Sequence, residues 1–112
     1  MQLNVWQQAQ LEAELLDNAV LMCRVIQSFL SDLPVTLAAI DNALLQNDSA
    51  ALAKASHYLH GSAAQLQLSE LAHCCKTLQS SALQQHIEVT QVAALKAAAT
   101  LAQTTLQHYL SQ

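Results

Sequence analysis

The sequence predicts an all-α protein, an antiparallel up-and-down four-helix bundle with a short additional N-terminal helix. Hydrophobic residues make up 53% of the 112 residues, but aromatic residues only 4%. The single glycine and the single proline leave almost no signals for turns or hairpins. Apolar residues instead recur at steps of three and four, the spacing of one helix face. This pattern is typical of a bundle built on Leu and Ala, and the length fits one domain over residues 1–112.

The first two helices are placed by their apolar stripes and by a capping pair. A short helix is predicted over about residues 5–16, with Leu11 and Leu15 facing inward. Asp17-Asn18 then caps a long second helix that ends near Gln46, because such side chains accept hydrogen bonds from the free N–H groups of a first turn. The predicted inward positions of this helix are Met22, Ile26, Phe29, Leu33, Leu37, Ile40 and Leu44.

Pro34 falls inside the second helix and is expected to bend it, since proline removes a backbone donor and clashes with the preceding turn. The remaining helices are bounded by Asn47-Asp48 for the third, by Ser69 and Ser80-Ser81 for the fourth, and by about Glu88 and Leu110 for the last. Their predicted core positions are Leu52, Leu59, Ala63 and Leu66, then Leu71, Cys75 and Leu78, then Val92, Leu95, Ala99, Ala102 and Leu106.

Charge and cysteine content restrict the possible partners and compartment. The formal net charge of -4 argues against a surface that binds nucleic acid or an anionic membrane. Cys23, Cys74 and Cys75 are an odd number with an adjacent pair, so they imply no disulfide framework and favour a reducing compartment. No apolar run approaches a membrane span, and the N-terminus lacks the layout of a signal peptide. We expect a cytoplasmic monomer.

The only glycine, Gly61, lies four residues after His57. On a helix these positions stack one turn apart, so the glycine leaves open space beside the imidazole. Glycine inside a helix costs about 1 kcal/mol relative to alanine. His57 also lies about 200° around the helix from Leu59 and so points away from the core stripe. The pair predicts an exposed imidazole that a bulky group can approach.

The segment from Ser56 to Leu68, SHYLHGSAAQLQL, resembles the signature of the histidine phosphotransfer (HPt) family. That signature has a surface histidine followed by Gly-Ser-Ala and a Leu-Gly pair. Upstream, the segment from Phe29 to Pro34 is similar to the family's Phe-Leu-x-Asp-x-Pro, and Asn47-Asp48 stands where the family has Gly-Asp. Downstream, the family's Leu, Cys and Leu are matched without a gap by Leu71, Cys75 and Leu78.

The resemblance implies a phosphoryl carrier of a two-component phosphorelay and not an enzyme. His57 is then the phosphoacceptor, whose neutral imidazole attacks the aspartyl phosphate of a receiver domain. The implied partners are receiver domains of response regulators or a hybrid sensor histidine kinase. The family pattern places Mg²⁺ and an acidic pocket on the receiver, so no cofactor and no metal are expected in this chain.

Two positions depart from the family pattern. His60 stands where the family commonly has a lysine, and Gln67 where a glycine usually closes the histidine helix in a left-handed conformation. Lys54 precedes His57 by three residues, so we hypothesise that Lys54, with His60 when protonated, partly replaces the missing lysine in holding the phosphoryl group. A solvated surface lysine is the open alternative.

Three further residues near His57 are candidates for supporting roles. Tyr58 and Ala64 flank it and are candidates for a docking surface, although Tyr58 can equally pack on its own bundle. Ser62 can donate a hydrogen bond near the phosphoryl oxygens or bond back within its helix, and we favour the second.

Two rival interpretations remain. Glu70 and His73 form a Glu-x-x-His pair of the kind found in di-iron bundles, but such a centre needs a second copy that the chain lacks. The other rival is an HPt-like adaptor that docks on signalling proteins without carrying phosphate, and His60 in place of lysine favours it. The sequence also leaves open a free-standing protein or a module of a hybrid kinase, and Met1 shortly before a helix favours the first.

Overall fold

The computed structural model describes residues 4–112, which form five α-helices and no strand. The helices are α1 (Gln8–Glu14), α2 (Ala19–Leu45), α3 (Ser49–Gln65), α4 (Ser69–Leu83) and α5 (Val89–Leu110). Helix α3 packs on α2 and α4, α4 packs on α5, and α5 also contacts α2, so the four long helices enclose one hydrophobic core. The all-helical class is confirmed. The up-and-down course of the helices and the single domain over residues 1–112 remain predictions.

Two predicted N-caps are confirmed. The side chain of Asn18 accepts a hydrogen bond from the backbone N–H of Leu21 at 3.0 Å, which closes the first turn of α2. Asp48 accepts in the same way from Ala51 at 3.0 Å at the start of α3. Each cap satisfies a backbone donor that the helix itself leaves free, so the starts of both helices are set by local sequence.

The predicted core positions are buried in α3, α4 and α5, and α2 shows one shift along its length. As far as Leu33 its buried residues follow the predicted stripe, but beyond Pro34 the core takes Thr36 and Ala43 in place of Leu37 and Leu44, which are half-buried. The buried hydroxyl of Thr36 donates to the carbonyl of Asp32 at 3.3 Å, so this polar group has a partner. Helix α2 runs unbroken through Pro34.

The first helix begins later than predicted because the backbone before it bonds to residues of α4 and of the turn that precedes it. The N–H of Gln7 donates to the carbonyl of Gln67 at 2.9 Å, and the carbonyl of Asn4 accepts from Glu70 at 3.0 Å. Residues 4–7 therefore lie across the turn between α3 and α4 and are not helical. The indole of Trp6 donates to the carbonyl of Leu66 at 2.9 Å, so it anchors this segment on the bundle.

Both predicted ends of α4 were wrong. Leu68, not Ser69, is the N-cap, and the hydroxyl of Ser69 accepts a hydrogen bond from the Gln7 side chain at 2.7 Å. The carbonyl of Asn4, supplied from outside the helix, satisfies the N–H of Glu70 instead. At the other end Ser80 and Ser81 lie within the helix, which continues to Leu83.

Four helices end in a left-handed residue that is not glycine. The first residues past α1, α2, α3 and α4 with this conformation are Leu16, Asn47, Gln67 and Gln85, with φ between 52 and 63°. After α3, for example, the N–H of Leu68 donates to the carbonyl of Ala63 at 2.9 Å, as in a Schellman motif. The left-handed conformation predicted at Gln67 is confirmed, and its φ is 62°.

Helix α2 is long and apolar enough to cross a membrane by length and composition alone, contrary to the expectation that no segment approaches such a span. The core helix of a bundle can pass the same test. In this fold α2 places seven residues in the buried core. The length and composition of α2 are therefore no evidence for a membrane role.

Candidate functional site

The structure places His57 on the exposed side of α3, as its helical position predicts. Its helix neighbours Leu52, Leu59 and Ala63 are buried and hold α3 on the bundle, so the opposite side of the helix faces solvent. The histidine therefore stands on a rigid element that is fixed by its own core face and by the Asp48 cap. A nucleophile in this position needs no movement of the fold to meet a partner.

The imidazole of His57 contacts one side chain from the next helix. Nε2 of Gln79, on α4, lies 3.2 Å from Nδ1 of His57. This contact orients the ring and leaves Nε2 of His57 as the nitrogen that a partner can reach. The sequence alone did not point to Gln79 as a partner of His57. The two residues are 22 positions apart, and only the packing of α3 on α4 brings them together.

Gly61 is exposed on the same side of α3, one turn beyond His57. A Cβ atom placed on Gly61 would meet no neighbouring atom within 4 Å, so the protein's own packing does not require glycine there. The backbone is ordinary helix, and left-handed residues occur elsewhere in the chain without glycine. The space beside His57 is therefore open to an external group. Ala64 lies close by on α3 and is also exposed.

The two candidate phosphate contacts lie on either side of His57 along α3. His60 is half-buried and Lys54 is exposed. Lys54 lines a groove of about 400 Å³ between α2 and α3, together with Tyr58. Lys54 therefore stands on the α2 side of His57, whereas Gln79 reaches the imidazole from α4.

Tyr58 connects α3 to α2 next to the histidine. Its hydroxyl donates to Oδ2 of Asp32 at 3.4 Å. A second groove, of about 490 Å³, lies on this side of the molecule and is lined by Leu11, Leu15, Val25, Ser28, Phe29, Asp32, Tyr58, Ser62, Gln65 and Leu66. The hydrogen bond from a serine hydroxyl back to its own helix, which we favoured for Ser62, is made in α3 by Ser56, whose hydroxyl donates to the carbonyl of Leu52 at 2.8 Å. Ser62 instead lines the groove.

In the part of the chain that the structure describes, the rival metal site has no third ligand. Among residues 4–112 no three His, Cys, Asp or Glu side chains converge as metal ligands would, so Glu70 and His73 have no such companion there. Cys74 and Cys75 also lack thiolate character: burial, with a smaller effect of Cys74, raises the pKa of the Cys75 thiol to about 12. Burial and the nearby Glu70 raise the pKa of Cys74 as well. Neither thiol is a candidate nucleophile at neutral pH.

Comparison with known proteins identifies relatives of this chain in sequence and in fold. The sequence profile of the Hpt domain family matches residues 24–111. A crystal structure of the HPT domain from a sensor hybrid histidine kinase of Shewanella superposes with a TM-score of 0.84 and 22% sequence identity. The match covers 96% of this chain and 95% of that chain, and at this identity it establishes the fold. No curated protein sequence matches the chain.

We predict that Gly61→Ala stabilises the fold. Alanine is favoured over glycine within a helix by about 1 kcal/mol, and the added methyl group meets open space. Urea unfolding followed by circular dichroism should show a free energy of unfolding higher by about this amount. Ala64→Gly, the reverse change at a nearby exposed position, should lower it. A loss of stability in Gly61→Ala would show that the space is not free.

Proposed function

The chain belongs to the Hpt domain family, and we propose that it carries a phosphoryl group on His57 between aspartates of receiver domains in a two-component phosphorelay. The proposed partners are receiver domains of response regulators or of a hybrid sensor histidine kinase. The observation that carries the proposal is the arrangement at His57, an exposed imidazole held at Nδ1 by Gln79 with open space at Gly61. The chain acts as a carrier and leaves catalysis to its partners.

Gln79 controls which nitrogen of His57 can react. A neutral imidazole has one protonated and one bare nitrogen. Because Gln79 faces Nδ1, the phosphoryl group must bind at Nε2, which is nucleophilic only while the proton is on Nδ1. A half-turn of the Gln79 amide presents Oε1, which accepts a hydrogen bond from Nδ1–H and stabilises that tautomer. With the amide nitrogen facing Nδ1, the other tautomer is favoured.

In the proposed step Nε2 of His57 attacks the phosphorus of the aspartyl phosphate. An N–P bond forms as the P–O bond breaks, and the aspartate leaves as a carboxylate. The proton on Nδ1 remains hydrogen-bonded to Gln79, which keeps the phosphorylated ring positively charged and a good leaving group for the onward transfer. A Mg²⁺ ion, expected on the receiver, would neutralise charge on the phosphoryl group. This chain supplies the nucleophile and its orientation.

The charge that holds the phosphoryl group is proposed to come from His60 and Lys54. Helical side chains lean toward the N-terminus, so His60 leans toward His57, and His57 leans toward Lys54. The two remaining lysines are Lys76, on α4, and Lys96, which pairs with Asp41. An exposed cation such as Lys54 contributes modestly, because water screens it.

We also propose that the chain works in the cytoplasm as a monomer. All three cysteines are free thiols, which supports a reducing compartment. Ser62 and Ala64 lie near His57 and are proposed, with Tyr58, to belong to the surface that the receiver covers.

Phosphoryl transfer to His57 is the direct test. A panel of receiver domains, phosphorylated with acetyl phosphate and Mg²⁺, is mixed with the chain, and acid-labile label on the chain is measured. We expect the wild-type chain to take label from at least one receiver and His57→Gln to take none. His86→Gln and His108→Gln, which change exposed histidines elsewhere, serve as matched controls and should keep full label.

Two results would contradict the carrier assignment. Label on His57→Gln at the wild-type level would place the phosphoryl group on another residue. A wild-type chain that binds a phosphorylated receiver, measured by calorimetry, without taking label would support the adaptor instead.

We predict that Gln79→Leu slows transfer about fivefold, the effect of losing one hydrogen bond worth about 1 kcal/mol. The ¹⁵N chemical shifts of the His57 ring should change in the same variant, because the ring loses the group that selects its tautomer. Gln84→Leu, an exposed glutamine at the end of α4, is the control. Unchanged ring shifts together with wild-type transfer would show that Gln79 only packs beside the histidine.

We predict that Lys54→Ala shortens the lifetime of phosphorylated His57 by about twofold, as expected for a screened cation. His60→Lys, which restores the family's usual charge, should lengthen it. Arg24→Ala removes the same charge from an exposed position on α2 and controls for the net charge of the chain. Equal lifetimes in Lys54→Ala and Arg24→Ala would leave Lys54 as a solvated surface residue.

A further inference from the structure

Tyr58 differs from the other aromatic residues of the chain in its exposure. Phe29 is buried, and Trp6 and Tyr109 are half-buried and pack edge to face. The side chain of Tyr58 is 54% exposed. The fold thus places three aromatic residues against the core and holds the fourth in solvent, directly next to the proposed phosphoacceptor.

The ring of Tyr58 is held in place on the surface. Its hydroxyl donates to Asp32 of α2 at 3.4 Å, across the boundary between two helices. The ring also forms part of the wall of both grooves, the one that contains Leu11 and Phe29 and the one that contains Val35 and Ala39. A side chain that is already ordered loses little conformational entropy when a partner covers it.

Any domain that reaches His57 must also cover this ring. Phosphoryl transfer requires reacting atoms about 3 to 3.5 Å apart, and a folded receiver that approaches so closely buries the surface around the histidine. A specific interface buries about 800 Å² on each partner, which is enough to include an exposed side chain one residue from His57 on the same helix. Tyr58 borders two partly apolar grooves, and an exposed tyrosine in such a setting is of the residue type enriched at interface hot spots.

We propose that Tyr58 is the anchor residue by which a receiver domain docks beside His57, and that Asp32 is a positioning residue that holds its ring. This inference rests on the proposed phosphocarrier function. The proposed occupant is the receiver, because the domain that donates the phosphoryl group must bring it within about 3.5 Å of His57. Asp32 does not touch that receiver's phosphoryl group, and it acts through the Tyr58 hydroxyl.

Transfer kinetics with the receivers that exchange phosphate with the wild-type chain test the proposal. Tyr58→Ala should raise the KM for the phosphorylated receiver about ten- to thirtyfold, as for a truncated hot spot, with kcat within about twofold. Tyr58→Phe and Asp32→Ala, which each remove the hydrogen bond between these two side chains, should each raise KM about two- to fourfold, and the double variant should be no worse than either. Leu101→Ala, a 46% exposed residue of α5, is the matched control.

The possible failures are distinguishable. Wild-type KM in Tyr58→Ala, with transfer intact, overturns the anchor and leaves the carrier function standing. Slower labelling of Tyr58→Ala by phosphoramidate, a small donor that needs no docking, shows that the residue acts on His57 itself and also overturns it. A wild-type chain that takes label from no receiver overturns the proposed function and the anchor together. Circular dichroism confirms that each variant is folded.

Discussion

The packing of α3 against α4 is the interaction on which the site depends. Buried Leu59 and Ala63 on α3 and Cys75 and Leu78 on α4 are the core faces of these two helices. Small side chains permit close approach of two helices, so a glutamine from one can reach the imidazole of the other. The buried faces set the register, and His57 and its partner from α4 then meet at the edge of the same contact. A shift of one helix along the other would separate them.

The one glycine of the chain is not required by backbone conformation. Helices α1 to α4 each end in a left-handed residue that is not glycine. This conformation costs a residue other than glycine roughly 1 kcal/mol or more, and the chain tolerates it at all four ends. The one glycine lies instead inside α3, where it lowers helix stability and where a methyl group would fit. A stabilising residue is therefore absent at the place where the proposed partner would approach. This is the pattern expected when function and stability compete.

The features that could be predicted from the sequence are those set by residues close together in the chain. The caps at Asn18 and Asp48 and the exposure of His57 follow from spacings of three or four residues, so they could be predicted. Ser69 failed as a cap because the carbonyl of Asn4, distant in sequence, takes that role. The partners of His57 and Tyr58 lie 22 and 26 residues away, and no helical period links them. Such contacts depend on how helices pack, which a single sequence does not contain.

The proposed function gives different roles to the two contacts beside His57, one from α4 and one from α2. In the proposed function, the contact from α4 lies at Nδ1 of His57, so it would affect how readily Nε2 reacts with any phosphoryl donor. The contact from α2 involves an exposed ring beside the histidine, so in the proposed docking it would affect which receiver surfaces fit. The two contacts come from different helices and share no side chain. On this proposal, substitutions on α2 would change the choice of partner and leave the contact at the imidazole intact, because that contact comes from α4.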